Sequence, residues 1–315
     1  MVDSGLLALY AVAVATGGAR LLAGQPWLNR VPRIAIAVWL AAVCSVLSAV
    51  ALGSVLLALD SFSVRRRLAD LIRTCVMSLH QHYSDLPAMA LVGIGLLVVA
   101  TGWLGFHTVR HVVRTRRLRR RQREILTLVG CDRGRGLVTL VDHPSSNVYC
   151  LPGDGGRIVV TTTAVRALTS QQLRAVIAHE RAHLQGRHHL LTGFSACLST
   201  ALPLVPLMRH ARDSIDFLVE RAADERACRS FSPDTLAAAM LAVGTAPAPG
   251  AALGAGGESI IQRASLLTAD RFRSRRHAAL GLVLVAGLLA APVALVASPA
   301  VGLDWHNHCL ITPKT

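Results

Sequence analysis

Val176 to Leu190 reads VIAHERAHLQGRHHL, and within it His179 and His183 flank Glu180 in the pattern His-Glu-x-x-His. On a helix, residues i and i+4 share one face, one turn apart. Both imidazoles can therefore reach a single ion. Zinc takes neutral imidazole nitrogen at about 2.0–2.1 Å. Glu180 is rotated by about 100° from His179, so it does not become a third ligand on the same axis. It can stand beside the open coordination position. There it can take a proton from zinc-activated water and pass it to a leaving amine, as base and then acid. The competing reading is a solvated helix face with a fortuitous histidine pair. With thirteen histidines and only five glutamates in the chain, chance is a weak competitor.

A two-histidine site needs a further protein ligand while leaving a position for water. The best candidate lies in FLVERAADERAC, Phe217 to Cys228, where Glu220 follows His183 by 37 residues. One helical turn on, Asp224 shares its face and can hold the far nitrogen of a liganding histidine, fixing its tautomer. Glu225 faces elsewhere and reads as solvated. Three of the five glutamates fall in these two segments. An exposed helix with Glu–Arg pairs is the alternative for Glu220. His188 and His189 lie just past the ligand face, and His210 and Arg221 are open as oxyanion stabilisers. His306 and His308 give a weak metal signal. The seven cysteines, Cys150 among them, have no C-x-x-C spacing. They read as small reduced residues rather than a thiolate site or a disulfide framework.

The elements that must position these residues begin in a membrane. The 315-residue chain is 52% hydrophobic, with mean hydropathy +0.47 and a formal charge of +15. A soluble domain is seldom both so apolar and so basic, whereas a membrane protein with basic loops is. Four runs approach the roughly 20 residues a bilayer requires: 5–22, 34–59, 88–106 and 278–296. The first reads as a retained helix, because its start lacks positive charge and residues 17–20 make a poor signal-cleavage site. Arg30 and Arg33, the eight arginines of 107–123, and Arg271, Arg273, Arg275 and Arg276 fall on one side if the N-terminus is outside. Arg65, Arg66, Arg67 and Arg73 in the second loop disagree. The arginine run has a nucleic-acid reading and a lipid-headgroup reading. Its place directly after a span favours lipid and topology, so no direct nucleic-acid binding is expected. The run has no helix breaker and is expected to prolong the third span.

The expected architecture is an α-helical membrane protein of about four transmembrane helices. It comprises a three-helix region 1–106, a cytoplasmic α+β protease domain 107–277, and a fourth span with an outer tail, 278–315. Strands are expected at 136–141, 147–151 and 157–163, the last two forming a hairpin across the Gly-rich turn 152–156. Thr169 and Gln172 form a capping box that opens the histidine helix. A second helix is expected over about 214–230, and 244–257 reads as a Gly/Ala/Pro-rich loop. The apolar stretch 190–208 could pass for a fifth span. That would put His179 and His183 across the bilayer from Glu220, so it must turn back, with Pro203 and Pro206 breaking the helix.

The four spans, the protease region between the third and fourth, His179-Glu180-x-x-His183 and Glu220-x-x-x-Asp224 together resemble the BlaR/MecR-type integral-membrane zinc metallopeptidases. SNVYCLPGDGGRIVVTTTAVRAL is similar to the strand-turn-strand of the related HtpX and prenyl-protein protease gluzincins. The resemblance implies a gluzincin-like zinc protease domain, with Zn2+ on His179, His183 and Glu220 and with Glu180 as catalytic acid/base. It implies a strand near 157–163 that pairs with extended substrate. It also implies a cytoplasmic winged-helix repressor as substrate. The residues after Val296 contain no Ser-x-x-Lys, so β-lactam sensing by acylation is not expected.

The leading expectation is a membrane zinc endopeptidase, facing the cytoplasm and acting in regulatory proteolysis, with the lipid bilayer and a protein or peptide substrate as partners. Membrane-protein quality control is the alternative within the same chemistry. A non-catalytic receptor or scaffold with a structural metal is the alternative outside it, and Glu180 speaks against that, since a purely structural site needs no base.

Overall fold

The computed structural model describes residues 2–61, 88–131, 137–153, 155–244, 260–267 and 275–306. Most of the basic second loop, the 244–257 loop beyond Gly244, and the tail after His306, His308 included, lie outside these residues. Among the described residues, four helices are long and apolar enough to cross a membrane: Ser4–Ala23, Pro32–Leu57, Val92–Thr127 and Arg275–Ala297. The first is built from α1 (Val2–Ala13), a π-helical turn at Val14–Gly18 and α2 (Ala19–Ala23). α3 (Pro32–Ser61) and α4 (Ala88–Val129) follow. The 42 residues of α4 make a rod about 63 Å long that carries the arginine run well past its apolar half.

α3 is the hub, because it packs against α1, against α4, against α8 (Pro206–Ala227) and against the last helix, α11 (Arg275–His306). Ala35, Ala42 and Ala49 recur at seven-residue spacing on its buried surface and let neighbours approach closely. Trp39, Val43 and Val46 fill the space between. Tyr10 Oη and Ser45 Oγ, 2.6 Å apart, satisfy each other where α1 meets α3.

β1 (Gly130–Cys131), β2 (Val138–Val141), β3 (Val148–Leu151) and β4 (Arg157–Thr161) form one sheet in the order β1-β2-β4-β3. β4 runs parallel to β2 and antiparallel to β3. The β3–β4 hairpin turns through Gly153, Gly155 and Gly156, whose φ values of 99°, 87° and 66° other residues rarely adopt. Arg123 of α4 donates to the Pro152 carbonyl at 2.7 Å and fastens this turn. One expectation is corrected here: β4 is paired along both edges, so it has no free ladder for a substrate. Among the described residues the edge strands are the two-residue β1 and β3. Residues 162 and 163 are also not strand, because the Thr161 side chain accepts from the Ala164 amide and starts α5 (Thr162–Ala167).

α6 (Ser170–Gln185) opens with the capping box read from sequence. Thr169 Oγ1 accepts from the Gln172 amide at 3.3 Å, and Gln172 Oε1 accepts from the Thr169 amide at 2.9 Å. α7 (His188–Ala201) ends before Pro203, and α8 (Pro206–Ala227) starts with Pro206 in its first turn. The apolar stretch therefore forms a helical hairpin and not a fifth span. α8 begins eight residues before the expected 214, since Leu207, Met208, Ala211 and Ile215 already bury a helical stripe against α3. α9 (Pro233–Gly244) and a short helix over 260–267, α10, cover the far side of α6 through Leu236, Ala237, Ala264 and Leu267. Replacing Thr169 with Ala should cost about 1 kcal/mol, while Thr169→Ser should retain most of it. Thermal unfolding in detergent of the three proteins checks this.

Candidate metal centre

α6 presents Ala175, His179 and Ala182 along one buried stripe toward α8, and the two alanines let the helices approach closely. α8 answers with Glu220 and Asp224, one turn apart. His179, His183 and Glu220 each offer a ligand atom, all within 4.8 Å of one another. The two Nε2 atoms are 3.0 Å apart. Glu220 places Oε2 3.5 Å from His179 Nε2 and Oε1 3.4 Å from His183 Nε2. A tetrahedral ion with zinc-like bond lengths separates its ligand atoms by about 3.3 Å. The three groups thus converge within reach of one such ion, and two imidazoles with one carboxylate oxygen would leave a fourth position for water.

Asp224, with no exposed side-chain surface, brings Oδ1 within 3.0 Å of His179 Nδ1. This faces the proton-bearing nitrogen toward a carboxylate and leaves Nε2 for an ion. The carboxylate is held in turn by Arg263 of α10, whose Nε and Nη2 donate to Oδ2 and Oδ1 at 3.0 and 2.6 Å. Arg263 Nη1 also reaches Glu220 Oε2 at 2.7 Å. One guanidinium therefore orients both acidic residues. Sequence reading missed it: Arg263 lies in SIIQRASLL, with no motif around it and a loop before it.

The remaining candidates separate. His188 is buried and puts Nδ1 3.1 Å from His183 Nδ1. His189 instead lines a crevice between α4 and α7. His210 precedes Glu220 by ten residues on α8, about 15 Å along the axis. Arg221 is 1% exposed and its charge acts on Cys228. Neither stands where Arg263 does. Glu225 is not solvated as expected. Its side chain is 14% exposed and pairs with Arg229 at 3.6 Å.

Electrostatics follow this geometry. Burial opposes a charge on His179, yet the facing Asp224 and Glu220 outweigh it and raise its pKa to about 10. Burial and the adjacent His179 charge lower His183 to about 4. Burial opposes ionisation of Glu220, but His179 and Arg263 overcome it and hold its pKa down at about 2. Burial raises the pKa of Glu180, whose carboxyl lies against Cys150 of β3. Burial and then the Glu180 carboxylate push the Cys150 thiol up to about 12. Cys150 is thus a wall of the site and not a remote core residue, something only the position of β3 reveals.

At neutral pH His179 is therefore an imidazolium, protonated on both ring nitrogens, and an ion at Nε2 must expel the proton held there while Nδ1 keeps its own. Ion binding at pH 7.5 should release about one proton, and apparent affinity should rise about tenfold per pH unit until that proton is gone. Calorimetric titration of zinc in buffers of different ionisation heat measures the number; a release near zero contradicts the assignment.

Comparisons with curated proteins and with solved structures returned no match. Residues 113–274, which include the sheet, α6, α8 and Arg263, match the family model of Peptidase family M48. That match spans just over half of the chain, and the chain belongs to this metallopeptidase family.

Proposed function

We propose that the protein is a membrane-embedded, zinc-dependent endopeptidase of the His-Glu-x-x-His gluzincin type, with its protease region over 107–277 at the cytoplasmic face. The observation that carries this reading is the convergence of His179, His183 and Glu220 beside Glu180, with Glu220 on a helix, α8, that also packs against the apolar helices α1 and α3. In this reading Zn2+ is held by the three groups and supplies Lewis-acid activation of water and of the scissile carbonyl. Asp224 fixes the His179 tautomer, and Arg263 orients Asp224 and Glu220.

Glu180 carries the proton. Its raised pKa brings it closer to neutral pH, where one carboxyl can both accept a proton from water and return it to the leaving amine. The free edge of β3 ends beside it. A substrate strand added there would lay its backbone across the site through main-chain hydrogen bonds. This favours an extended segment of a polypeptide over a small amide.

The BlaR/MecR-type resemblance supports regulatory proteolysis of a cytoplasmic, repressor-like protein as the physiological role. The arginine run of α4 supports contact with anionic lipid headgroups. Glu180→Gln should keep its zinc and lose peptide hydrolysis by roughly 10²- to 10⁴-fold. Zinc content and cleavage of a peptide library, or self-cleavage, by the two purified proteins provide the check. Equal cleavage by both would refute the mechanism.

A further inference from the structure

His183 must offer Nε2 to the ion, since that nitrogen faces His179 Nε2 and Glu220. An imidazole whose Nε2 lone pair is committed carries its proton on Nδ1. That proton needs an acceptor, because an unpaired buried donor is costly. For His179 the group on that side is Asp224, whose Oδ1 stands 3.0 Å from Nδ1. For His183 no carboxylate among the described residues is paired with Nδ1. The atom there is Nδ1 of His188, at 3.1 Å, with the two rings 4.9 Å apart and nearly perpendicular at 86°.

We propose that His188 is the positioning residue of the second histidine ligand: its Nδ1 accepts the His183 Nδ1–H and fixes that ring's tautomer and direction. His188 is not itself a ligand. It approaches His183 on the ring edge away from the site and does not belong to the converging donor group. Its own proton sits on Nε2.

Two local features of the chain put it there. Arg187 adopts a left-handed conformation, φ 49° and ψ 36°, which breaks α6 from α7 and folds the first residue of α7 back over His183. Gly186 lies under the ring, where a Cβ would overlap His188 at Nε2 and Cδ2. Gly186 itself has φ −76°, so its backbone angle does not call for glycine, although the same Cβ would also come within 3.1 Å of the Ala182 carbonyl oxygen. The glycine is required for the ring and not for the turn. The stretch His183-Leu-Gln-Gly-Arg-His188 therefore works as a unit: ligand, turn, space for a ring, acceptor.

The inference rests on the metallopeptidase reading, and its test separates the two. Wild type, His188→Asn, His188→Leu and Gly186→Ala are purified as the full chain in detergent. Zinc affinity of the folded fraction is measured by chelator competition, and the Co2+-substituted proteins by visible absorption. Asn and Leu have nearly the same size, but only Asn offers an acceptor.

His188→Leu should weaken zinc binding by roughly 10- to 100-fold, with His188→Asn within a fewfold of wild type. Gly186→Ala should follow Leu, because it displaces the ring. The Co2+ spectrum should keep its band position in Asn, since no ligand is lost. Asn and Leu weakening zinc equally, or Leu binding as tightly as wild type, overturns the inference while leaving the metallopeptidase reading intact. A wild type that binds no zinc overturns both.

Discussion

A carboxylate sealed from water organises this site. Asp224 has no exposed surface, and an isolated charge in such a place would be prohibitively costly. It is tolerated because Arg263 meets it with two parallel hydrogen bonds and His179 faces its remaining side. Each partner is constrained in return. Arg263 can keep its reach to Glu220 only while α10 stays docked on α6 and α9. His179 can turn Nε2 outward only while Nδ1 stays on Asp224. Loss of either partner would leave buried charge uncompensated, a loss of about 3–5 kcal/mol in comparable pairs. The geometry of the two acidic residues and of one histidine is thus a single electrostatic arrangement distributed over α6, α8 and α10.

The part of the site carried by local spacing was legible in sequence. His179 and His183 share a face because they are four residues apart on a helix announced by its capping box. Glu220 and Asp224 do the same one helix later. Pro203 and Pro206 told that the intervening apolar stretch turns back. The parts that depend on tertiary placement were not legible. Arg263 reaches the site from a helix with no distinguishing pattern. Cys150 meets Glu180 only because β3 is an edge strand laid across α6. The choice of β4 for substrate pairing failed for the same reason: the order β1-β2-β4-β3 inserts the chain's last strand inside the sheet, and hairpin signals do not contain strand order. His188 differed again. Its position was visible, but its contact depends on the left-handed Arg187, a conformation that side chains other than glycine seldom adopt.

α8 has a second face, and that face ties the chemistry to the apolar helices. Leu207, Met208, Ala211, Ile215, Leu218 and Val219 belong to the same core as Leu7, Ala11, Trp39 and Val43 of α1 and α3. The largest core among the described residues therefore runs from the first two apolar helices into the region matched to the peptidase family. α6, in contrast, packs on α7, α8, α9, β3 and β4, with Ala175 also against Ala264 and Leu267 of α10. The candidate ligands come from both sides of this seam: two imidazoles from the sheet-backed helix, one carboxylate from the helix shared with the apolar core.

This division gives the ion a mechanical meaning as well as a chemical one. Close-packed interiors transmit displacements rather than absorb them, so a shift of α3 relative to α1 is felt by α8 along its buried stripe. Glu220 and Asp224 would move with α8, while His179 and His183 are held to the sheet. Ligand separations near 3.0–3.5 Å leave little tolerance for sliding. An ion bound by all three groups would cross-link the two layers, and a rearrangement of the apolar helices would act first on the Glu220 side. Among the described residues, α8 thus joins the apolar core to the candidate ligand set: one of its faces packs with α1 and α3, and the other carries Glu220.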